Sequence, residues 1–177
     1  ETSEEGVFCI ENSSASSLQV IFNIFRQRVV EGLLKKASSN DVGIIARVPL
    51  ASGLLSGKFS KNHEFAESDH RNFNSDGQLF NVGETFAGVP FDLGIEFANE
   101  VESLLSEELN EASLAQKSLR WILDHSEIST VIPGATTSKQ AAQNAEVSAM
   151  NPISNKAYAN LKELYNEKID SSVRGRY

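Results

Sequence analysis

The chain lacks several features that mark particular classes of protein. A single cysteine, Cys9, rules out an intrachain disulfide, which suits a reducing compartment. Basic residues are in the minority, with 16 Lys and Arg against 24 Asp and Glu and a net charge of −8. This balance argues against a nucleic-acid partner, because binding to a phosphate backbone requires a basic surface. No apolar run reaches the ~18 residues of a membrane span. We therefore predict a cytoplasmic protein with neither nucleic acid nor membrane as a partner.

Nothing in the sequence points to a bound metal ion. His63, His70 and His125 show no metal-ligand spacing with one another, and none is assigned to catalysis. His125 is predicted to end a helix, where a positive charge is favoured. The acidic residues between positions 96 and 111 are better explained as the solvated face of a helix than as a metal site. Cys9 has no accompanying nucleophile motif, and we predict that it is a buried apolar filler.

Apolar patterns predict the helices and strands. Short apolar runs indicate buried strands at 17–22, 42–48 and 130–132. Apolar residues at helical spacing indicate amphipathic helices near 27–39, 91–106, 111–124, 138–147 and 157–169, with part of another within 3–12. Buried strands that alternate with amphipathic helices imply a parallel sheet with crossover helices, so the predicted fold class is α/β.

A long irregular stretch, from 51 to about 90, separates the second strand from the next helix. It is rich in Asn, Asp, Ser and Gly, and Phe59, Phe80 and Phe86 are spaced along it. Loops of this length in compact domains are usually functional lids or disordered segments. The three aromatic residues favour an ordered loop that docks on the rest of the molecule.

The stretch 131–144 combines a strand end, a glycine turn and a helix start. Such a junction directs backbone N–H groups and the positive end of the helix dipole at one point, which favours an anion such as a nucleotide phosphate. Gly134 allows close approach of the backbone, while Thr136 and Lys139 offer a hydroxyl and a charge. The alternative is a capped helix without a ligand, because residues 137–140 fit a capping box.

Four segments of the chain resemble the second half of the aldo-keto reductases. Ile-Pro-Gly-Ala at 132–135, followed by Gln140, is similar to their eighth strand and cofactor-binding helix. The segment 43–58, which contains Arg-Val-Pro-Leu-Ala-Ser-Gly, resembles the seventh strand and the loop after it. Segments 18–23 and 114–123 are similar to the sixth strand and to the helix before the eighth. The segments occur in family order and together span nearly the whole chain.

The resemblance implies a partial TIM (β/α)8 barrel, made of its last three parallel strands and their helices. A complete barrel usually needs about 250 residues. This chain has 177 residues and begins with Glu rather than Met. We therefore expect residues 1–177 to be the C-terminal part of a single barrel domain whose N-terminal half lies upstream.

The resemblance also implies an NADPH-dependent oxidoreductase that reduces aldehydes or ketones to alcohols. The family's catalytic Tyr, with its Asp, Lys and His neighbours, belongs to the first half of the barrel, so no catalytic residue is assigned in this chain. The cofactor supplies the hydride, and this chain would supply the cofactor site. The alternative within the same family is a non-enzymatic regulatory subunit that senses the nicotinamide cofactor.

Two residues are expected near the nicotinamide ring. Gln19 is a polar side chain in an apolar strand and needs a partner if it is buried. The resemblance offers the nicotinamide carboxamide, and a neighbouring strand or water is the alternative. Arg47 stands where the family often has an aromatic ring stacked on the nicotinamide. A planar guanidinium can also stack on a ring, and a salt bridge at the barrel mouth is the alternative.

The resemblance assigns the cofactor phosphates to the loop after the second strand. The loop positions assigned in this way are Pro49, Leu50, Ala51 and Gly53, whose backbone would wrap the pyrophosphate. Lys58 would reach the phosphates as a point charge, and the alternative is a tight exit turn with an exposed lysine. Arg71 either closes over the adenosine end of the cofactor or is a surface arginine.

The adenosine end is assigned to the turn and helix that follow Gly134. The residues that the resemblance places against the ribose, its 2′-phosphate and the adenine are Thr136, Gln140, Gln143 and Asn144. Many relatives have a basic residue at the place of Thr136, and this chain has Thr136 and Lys139 instead. A hydroxyl can bond to a phosphate or to a ribose hydroxyl, so NADPH is expected ahead of NADH.

Overall fold

The computed structural model describes residues 2–176, which contain one parallel sheet of three strands. The strands are β1 (Ser17–Ile21), β2 (Gly43–Arg47) and β3 (Ile128–Val131), in the spatial order β1-β2-β3. Ile21 pairs with Arg47 at the carboxyl ends of β1 and β2. The register between β2 and β3 shifts between Ile44 and Ile45. The α/β class and the three parallel strands predicted from the sequence are confirmed.

Helices connect the strands and follow the sheet. Across residues 2–176 the α-helices are α1 (Ser3–Asn12), α2 (Leu33–Ser38), α3 (His70–Phe73), α4 (Phe91–Leu104), α5 (Leu114–Leu123), α6 (Ser138–Glu146) and α7 (Asn155–Leu164). α7 continues into a π-helical turn at Tyr165–Ile169. Side-chain caps fix several starts; for example, the Ser113 hydroxyl accepts from the Gln116 N–H at 3.3 Å. No helix in this part of the chain is both long and apolar enough to cross a membrane.

The helix predicted at 27–39 is shorter than expected. Its first part is a 3-10 turn at Arg28–Val30, and α2 begins only after Gly32. Gly32 has φ −129° and ψ −71°, outside the helical region. Glycine costs about 1 kcal/mol relative to alanine inside a helix, so the helix breaks at this point. Leu33, Leu34 and Ala37 of α2 are still buried in the core.

The core lies between the sheet and the helices that cover one of its faces. Burial alternates along β2, and Ile44 and Ala46 have no exposed surface. Phe22, directly after β1, packs on Trp121 of α5 with ring centroids 5.2 Å apart. The alternation follows the period of two that directs successive strand residues to opposite faces.

The two outer strands are less buried than the sequence predicts. Gln19 in β1 and Thr130 in β3 are exposed, and Ile132 is 46% exposed. The third strand also begins at Ile128 rather than at 130. The expectation of buried strands at 17–22 and 130–132 is wrong because both are edge strands, and the described residues cover only one of their faces.

Cys9 is exposed on α1, so the prediction of a buried apolar filler is wrong. No residue of α1 is buried. The helix rests on α2 through Gly6, where an added Cβ would lie 2.7 Å from Leu33 Cδ1. Val7 and Ile10 of α1 also pack against the core, whereas Cys9 points away from it.

The 51–90 stretch is ordered, as the sequence predicts. It consists of α3 and 3-10 turns at Ala51–Ser56, Val82–Glu84 and Phe86–Gly88. Phe86 is buried and Phe59 is half-buried, and both join a ring cluster with Phe65 and Phe91 whose centroid separations lie between 5.0 and 6.0 Å. Phe80 is 42% exposed and does not anchor the stretch, contrary to the prediction.

Candidate functional site

A groove of about 870 Å³ lies between the segment that follows β2 and the segment that follows β3. Both segments leave the carboxyl ends of parallel strands, which is where ligands of such sheets bind. The sequence-predicted residues that line it are Pro49, Leu50, Gly53, Lys58, Arg71, Gly134, Thr136 and Gln140. The structure therefore brings together residues that the sequence predicted in separate segments.

The segment after β2 turns tightly through left-handed backbone. Positive φ angles occur at Val48 (50°), Ala51 (48°), Ser52 (55°) and Gly53 (100°). Such angles are rare for a β-branched residue, so Val48 holds backbone strain next to the groove. A Cβ at Gly53 would lie 2.9 Å from Cε2 of the Phe59 ring, so glycine is required there. The Gly53 N–H donates to the Leu50 carbonyl at 2.8 Å and is used within the turn. Ala51 is buried and does not line the groove.

Arg71 is fixed in the wall of the groove. Its Nε and Nη2 donate to the two carboxylate oxygens of Asp69 at 2.9 and 2.6 Å. Its guanidinium lies over the Phe65 ring, with Cζ 4.6 Å from the centroid. The hydrogen bonds from Arg71 lower the pKa of Asp69 to about 2. Lys58 is exposed, so the groove has one positioned and one solvated positive side chain.

Arg47, at the end of β2, forms an ion pair with Glu84. The two side chains are 27% and 29% exposed, so water screens the pair only in part. A salt bridge was the alternative to a cofactor contact that we considered for Arg47 from the sequence. The N–H donors of a guanidinium lie in its plane, so the ion pair itself does not occupy the flat faces of Arg47.

Gln19 has an exposed side chain, and no hydrogen bond joins its amide to another residue within 2–176. The inference that Gln19 is buried and therefore needs a partner is wrong, because β1 is an edge strand. The amide is open to a ligand or to water. Gln19 and Arg47 line a second cavity, of about 210 Å³, beside the carboxyl ends of β1 and β2.

The start of α6 is closed by the capping box that the sequence pattern predicts. The Gln140 N–H donates to Thr137 Oγ1 at 3.2 Å. The Gln140 side-chain oxygen accepts from the N–H groups of Thr136 and Thr137 at 2.8 and 3.2 Å. It also accepts from the Thr136 hydroxyl at 2.8 Å. The Gln140 amide nitrogen keeps its two donors for other partners, while the Thr136 hydroxyl presents lone pairs.

The remaining residues assigned to the adenosine end have local contacts. Asn144 Nδ2 donates to the Gly134 carbonyl at 3.3 Å, and the Gln143 carbonyl accepts from Gln116 Nε2 at 3.3 Å. Neither Gln143 nor Asn144 lines the groove. A Cβ at Gly134 would meet no atom within 4 Å, so no contact within residues 2–176 requires glycine there.

His125 is buried, so its predicted role as a charged helix end is wrong. Burial lowers the pKa of His125, which favours the neutral ring. Nδ1 donates to the Trp121 carbonyl at 3.0 Å, and Nε2 accepts from the Tyr158 hydroxyl. Burial also raises the pKa of Tyr158 to about 12. The pair belongs to the aromatic packing around Trp121 and lies outside the groove.

Sequence reasoning missed two charged or titratable residues of the groove, Glu84 and His70. Glu84 lies 37 positions from Arg47, so only the fold shows that the two are paired. His70 directly precedes Arg71 in the chain, so the prediction of Arg71 as a site residue also pointed to its neighbour. Within residues 2–176 no group of three or more His, Cys, Asp or Glu side chains is placed to hold a metal ion.

Comparison with known proteins identifies the family of this chain. The model of the aldo/keto reductase family matches residues 10–166. The chain belongs to the aldo/keto reductase family. It is 30% identical to the L-glyceraldehyde 3-phosphate reductase of Escherichia coli O157:H7 over 117 residues, which cover 65% of this chain and 31% of that protein. It is also 30% identical to a probable voltage-gated potassium channel subunit beta of Oryza sativa subsp. japonica, with 75% and 38% covered.

Solved structures show the same fold. The glycerol dehydrogenase of Gluconobacter oxydans matches with a TM-score of 0.73 and 16% identity, covering 100% of this chain and 50% of that one. The holo form of an aldo-keto reductase of Bacillus halodurans matches with a TM-score of 0.56 and 19% identity, covering 89% and 45%. This aldo/keto reductase chain therefore spans about a third of the length of its curated relatives and about half of the solved chains.

Proposed function

We propose that this chain is the cofactor-binding part of an NADPH-dependent aldo-keto reductase that reduces aldehydes or ketones to alcohols. The observation that supports it is the groove, which unites the loop after β2, the 51–90 stretch and the start of α6. Members of the family usually bind a nicotinamide cofactor. One relative is named as a reductase of a phosphorylated aldehyde.

The donors of the groove fit a dinucleotide. Lys58 and Arg71 bring positive charge from the segment after β2, and Gln140 brings amide donors from α6. Hydrogen bonds from charged donors to phosphate oxygens are stronger than neutral ones. Asp69 offsets part of the Arg71 charge but also fixes the direction of its guanidinium. Arg71 therefore binds as a preorganised group, whereas Lys58 acts as a solvated point charge.

The residues of this chain would bind and orient the cofactor, and the reacting groups would be the cofactor and an acid outside this chain. When bound, the nicotinamide provides a hydride for the carbonyl carbon, while an acid of the protein protonates the oxygen. Gln19 and Arg47 would hold the ring, Lys58 would hold the phosphates, and Arg71 would close over the adenosine end. The proton donor belongs, by the family resemblance, to the half of the barrel that precedes this chain.

We further propose that residues 1–177 are the C-terminal part of a single (β/α)8 barrel, with β1, β2 and β3 as its last three strands. The parallel order and the open second face of the sheet support this. So does the coverage of half of the Gluconobacter oxydans enzyme. A small carbonyl compound as substrate and a cytoplasmic location stay predictions.

Titration of the protein that carries this chain with NADPH tests the phosphate assignment. Lys58→Gln is expected to raise the Kd for NADPH roughly five-fold, because one solvated charge-assisted contact is lost. The rise should shrink in high salt, since salt screens exposed charges. Lys61→Gln is the matched control, because Lys61 is exposed in the same loop, pairs with Glu96 and does not line the groove. Equal effects of the two substitutions would remove Lys58 from the site.

A second candidate is a regulatory subunit that binds the cofactor without turning over a substrate. The similarity to proteins named as potassium channel beta subunits in Oryza sativa and Arabidopsis thaliana favours it. Loss of nicotinamide absorbance with a broad panel of aldehydes and ketones separates the two candidates. Turnover supports the reductase, whereas tight NADPH binding with no turnover supports the regulatory subunit.

A further inference from the structure

We propose that Glu84 sets the relative affinity of the protein for oxidised and reduced nicotinamide by balancing the charge of Arg47. The oxidised ring carries a positive charge and the reduced ring does not. A guanidinium beside the ring therefore repels one form selectively, unless a carboxylate neutralises it. The inference rests on the proposed function, because it requires that Arg47 contacts the nicotinamide.

Arg47 lies where its charge acts on both cavities at the strand ends. It ends β2 opposite Ile21 in β1, and it lines the smaller cavity with Gln19. Its partner Glu84 lines the large groove that contains the phosphate-binding candidates. The ion pair thus stands between the two cavities, at the point where a dinucleotide in the groove would direct its ring toward Gln19.

The main chain at Glu84 is held by contacts that do not involve Arg47. The Ser52 hydroxyl donates to the Glu84 carbonyl at 3.1 Å and accepts from the Phe86 N–H at 3.0 Å. The Glu84 N–H donates to the Asn81 carbonyl at 3.0 Å. These bonds fix the main chain on both sides of Glu84. The main chain therefore holds Glu84 beside Arg47, and the ion pair itself directs the carboxylate onto the guanidinium.

The C-terminal segment adds a second support for this turn. Arg174 Nη1 donates to an Asp76 carboxylate oxygen at 2.6 Å, and its Nε donates to the Gly88 carbonyl at 3.0 Å. The buried Arg26 donates to the Ala87 carbonyl at 3.4 Å, and a Cβ at Gly83 would lie 1.9 Å from its Nη1. The turn that carries Glu84 is thus tied to the rest of the molecule at several points.

Loss of the Glu84 charge is expected to weaken binding of the oxidised cofactor and to affect the reduced cofactor much less. A guanidinium is a fixed positive charge, so removal of the Glu84 charge leaves that charge unbalanced near the ring. Glu5 and Arg26 also line the smaller cavity, and both stay in place in every variant compared, so the difference between variants comes from the Arg47–Glu84 pair. Because the pair is only about a quarter exposed, screening by water is incomplete.

Glu84→Gln tests the proposal through dissociation constants of the oxidised and the reduced cofactor with the protein that carries this chain. The ratio of the oxidised to the reduced Kd is expected to rise about tenfold. Glu84→Asp keeps the charge and is expected to keep most of the ratio. Asp76→Asn is the structural control, because it removes one contact of Arg174, which also donates to the Gly88 carbonyl after this turn, without changing the charge of the Arg47–Glu84 pair. It should weaken both forms alike.

Arg47→Gln provides an independent readout if Glu84→Gln fails to fold. It leaves Glu84 as a negative charge near the ring, so the ratio should move in the opposite direction. Opposite shifts for the two variants cannot arise from loosened structure alone. Equal weakening of both cofactor forms in both variants would overturn the role of Glu84 and leave the proposed function intact. Failure of the unchanged protein to bind either form would instead overturn the proposed function.

Discussion

At the scale of single residues, hydrogen bonds within the protein determine which groups of the groove can donate to a ligand and which can accept. The Thr136 hydroxyl donates to Gln140 at 2.8 Å, so toward a ligand it acts as an acceptor. A ribose hydroxyl suits an acceptor, whereas a phosphate suits the Gln140 amide nitrogen in the groove and the ammonium of Lys139, which is exposed outside its lining. Selectivity between NADPH and NADH should therefore depend more on Lys139 than on Thr136.

Lys139→Glu is expected to weaken NADPH about tenfold and NADH much less, because only NADPH has the additional phosphate. Damage to the capping box would weaken both cofactors alike, since it loosens α6 without regard to the ligand. Thr136→Arg is the converse change and should tighten NADPH selectively. Dissociation constants for both cofactors measure these shifts.

Lys156→Glu is the matched control for Lys139→Glu. Lys139 is the second residue of α6 and Lys156 is the second residue of α7, and both are exposed. The two substitutions therefore make the same change in charge near the same end of a helix dipole. Similar effects of both on NADPH would contradict a 2′-phosphate site at α6.

Local motifs allowed part of the site to be predicted from the sequence. Gly134 and Gln140 belong to one contiguous string, and the groove contains both. Glu84 and its pairing with Arg47 could not be predicted, because the contact depends on how the 51–90 stretch folds back. The burial of Gln19 was predicted wrongly, because an apolar run does not reveal whether a strand lies at the edge of a sheet.

At the scale of the elements, helix ends show how single groups hold the fold together. Lys117 in α5 is 8% exposed, and its Nζ donates to the Leu105 carbonyl at 2.7 Å, just after the end of α4. The last carbonyls of a helix have no partner within the helix and carry partial negative charge. The Glu108 N–H also donates to the Leu105 carbonyl at 3.1 Å, so the buried Lys117 ammonium adds a second, charged donor there and joins α4 to α5.

Lys117→Met is expected to lower the free energy of unfolding by about 2 kcal/mol, because the Leu105 carbonyl loses a charged donor in a buried place. Urea unfolding of the protein that carries this chain provides the measurement. Lys156→Met is the same change at an exposed position and should leave the free energy of unfolding nearly unchanged. A loss below about 0.5 kcal/mol for Lys117→Met would mean that water replaces the ammonium at Leu105.

Apolar spacing predicted some helices correctly and missed a break in another. α4 and α5 were predicted closely because each has an apolar stripe at helical spacing, and α5 also has a capping box. The helix predicted at 27–39 failed at Gly32, where the apolar spacing continues but the backbone leaves the helical region. The periodicity of apolar residues indicates which side chains face the core, but it does not reveal a local break in the helix backbone.

At the scale of the whole molecule, one face of the sheet and both of its edges remain open within the described residues. Gln19 and Thr130 are exposed on the outer strands, and Ile132 continues the β3 ladder by donating its N–H to the Ala46 carbonyl at 3.0 Å. Open edges with apolar side chains can pair with other chains. The net charge of −8 opposes such association through repulsion between copies.

The 177-residue chain on its own is expected to have no reductase activity, to associate, and to melt without a sharp transition. Light scattering and thermal unfolding give the readouts. Ile132→Lys should reduce the association, because a lysine at an edge strand disfavours pairing with another chain. Leu79→Lys introduces the same residue at an exposed position that lies in the 51–90 stretch rather than next to a strand, and it should have little effect. A monomeric product with a cooperative transition would contradict this prediction. It would show that the three strands and their helices need no further strands to form a stable fold.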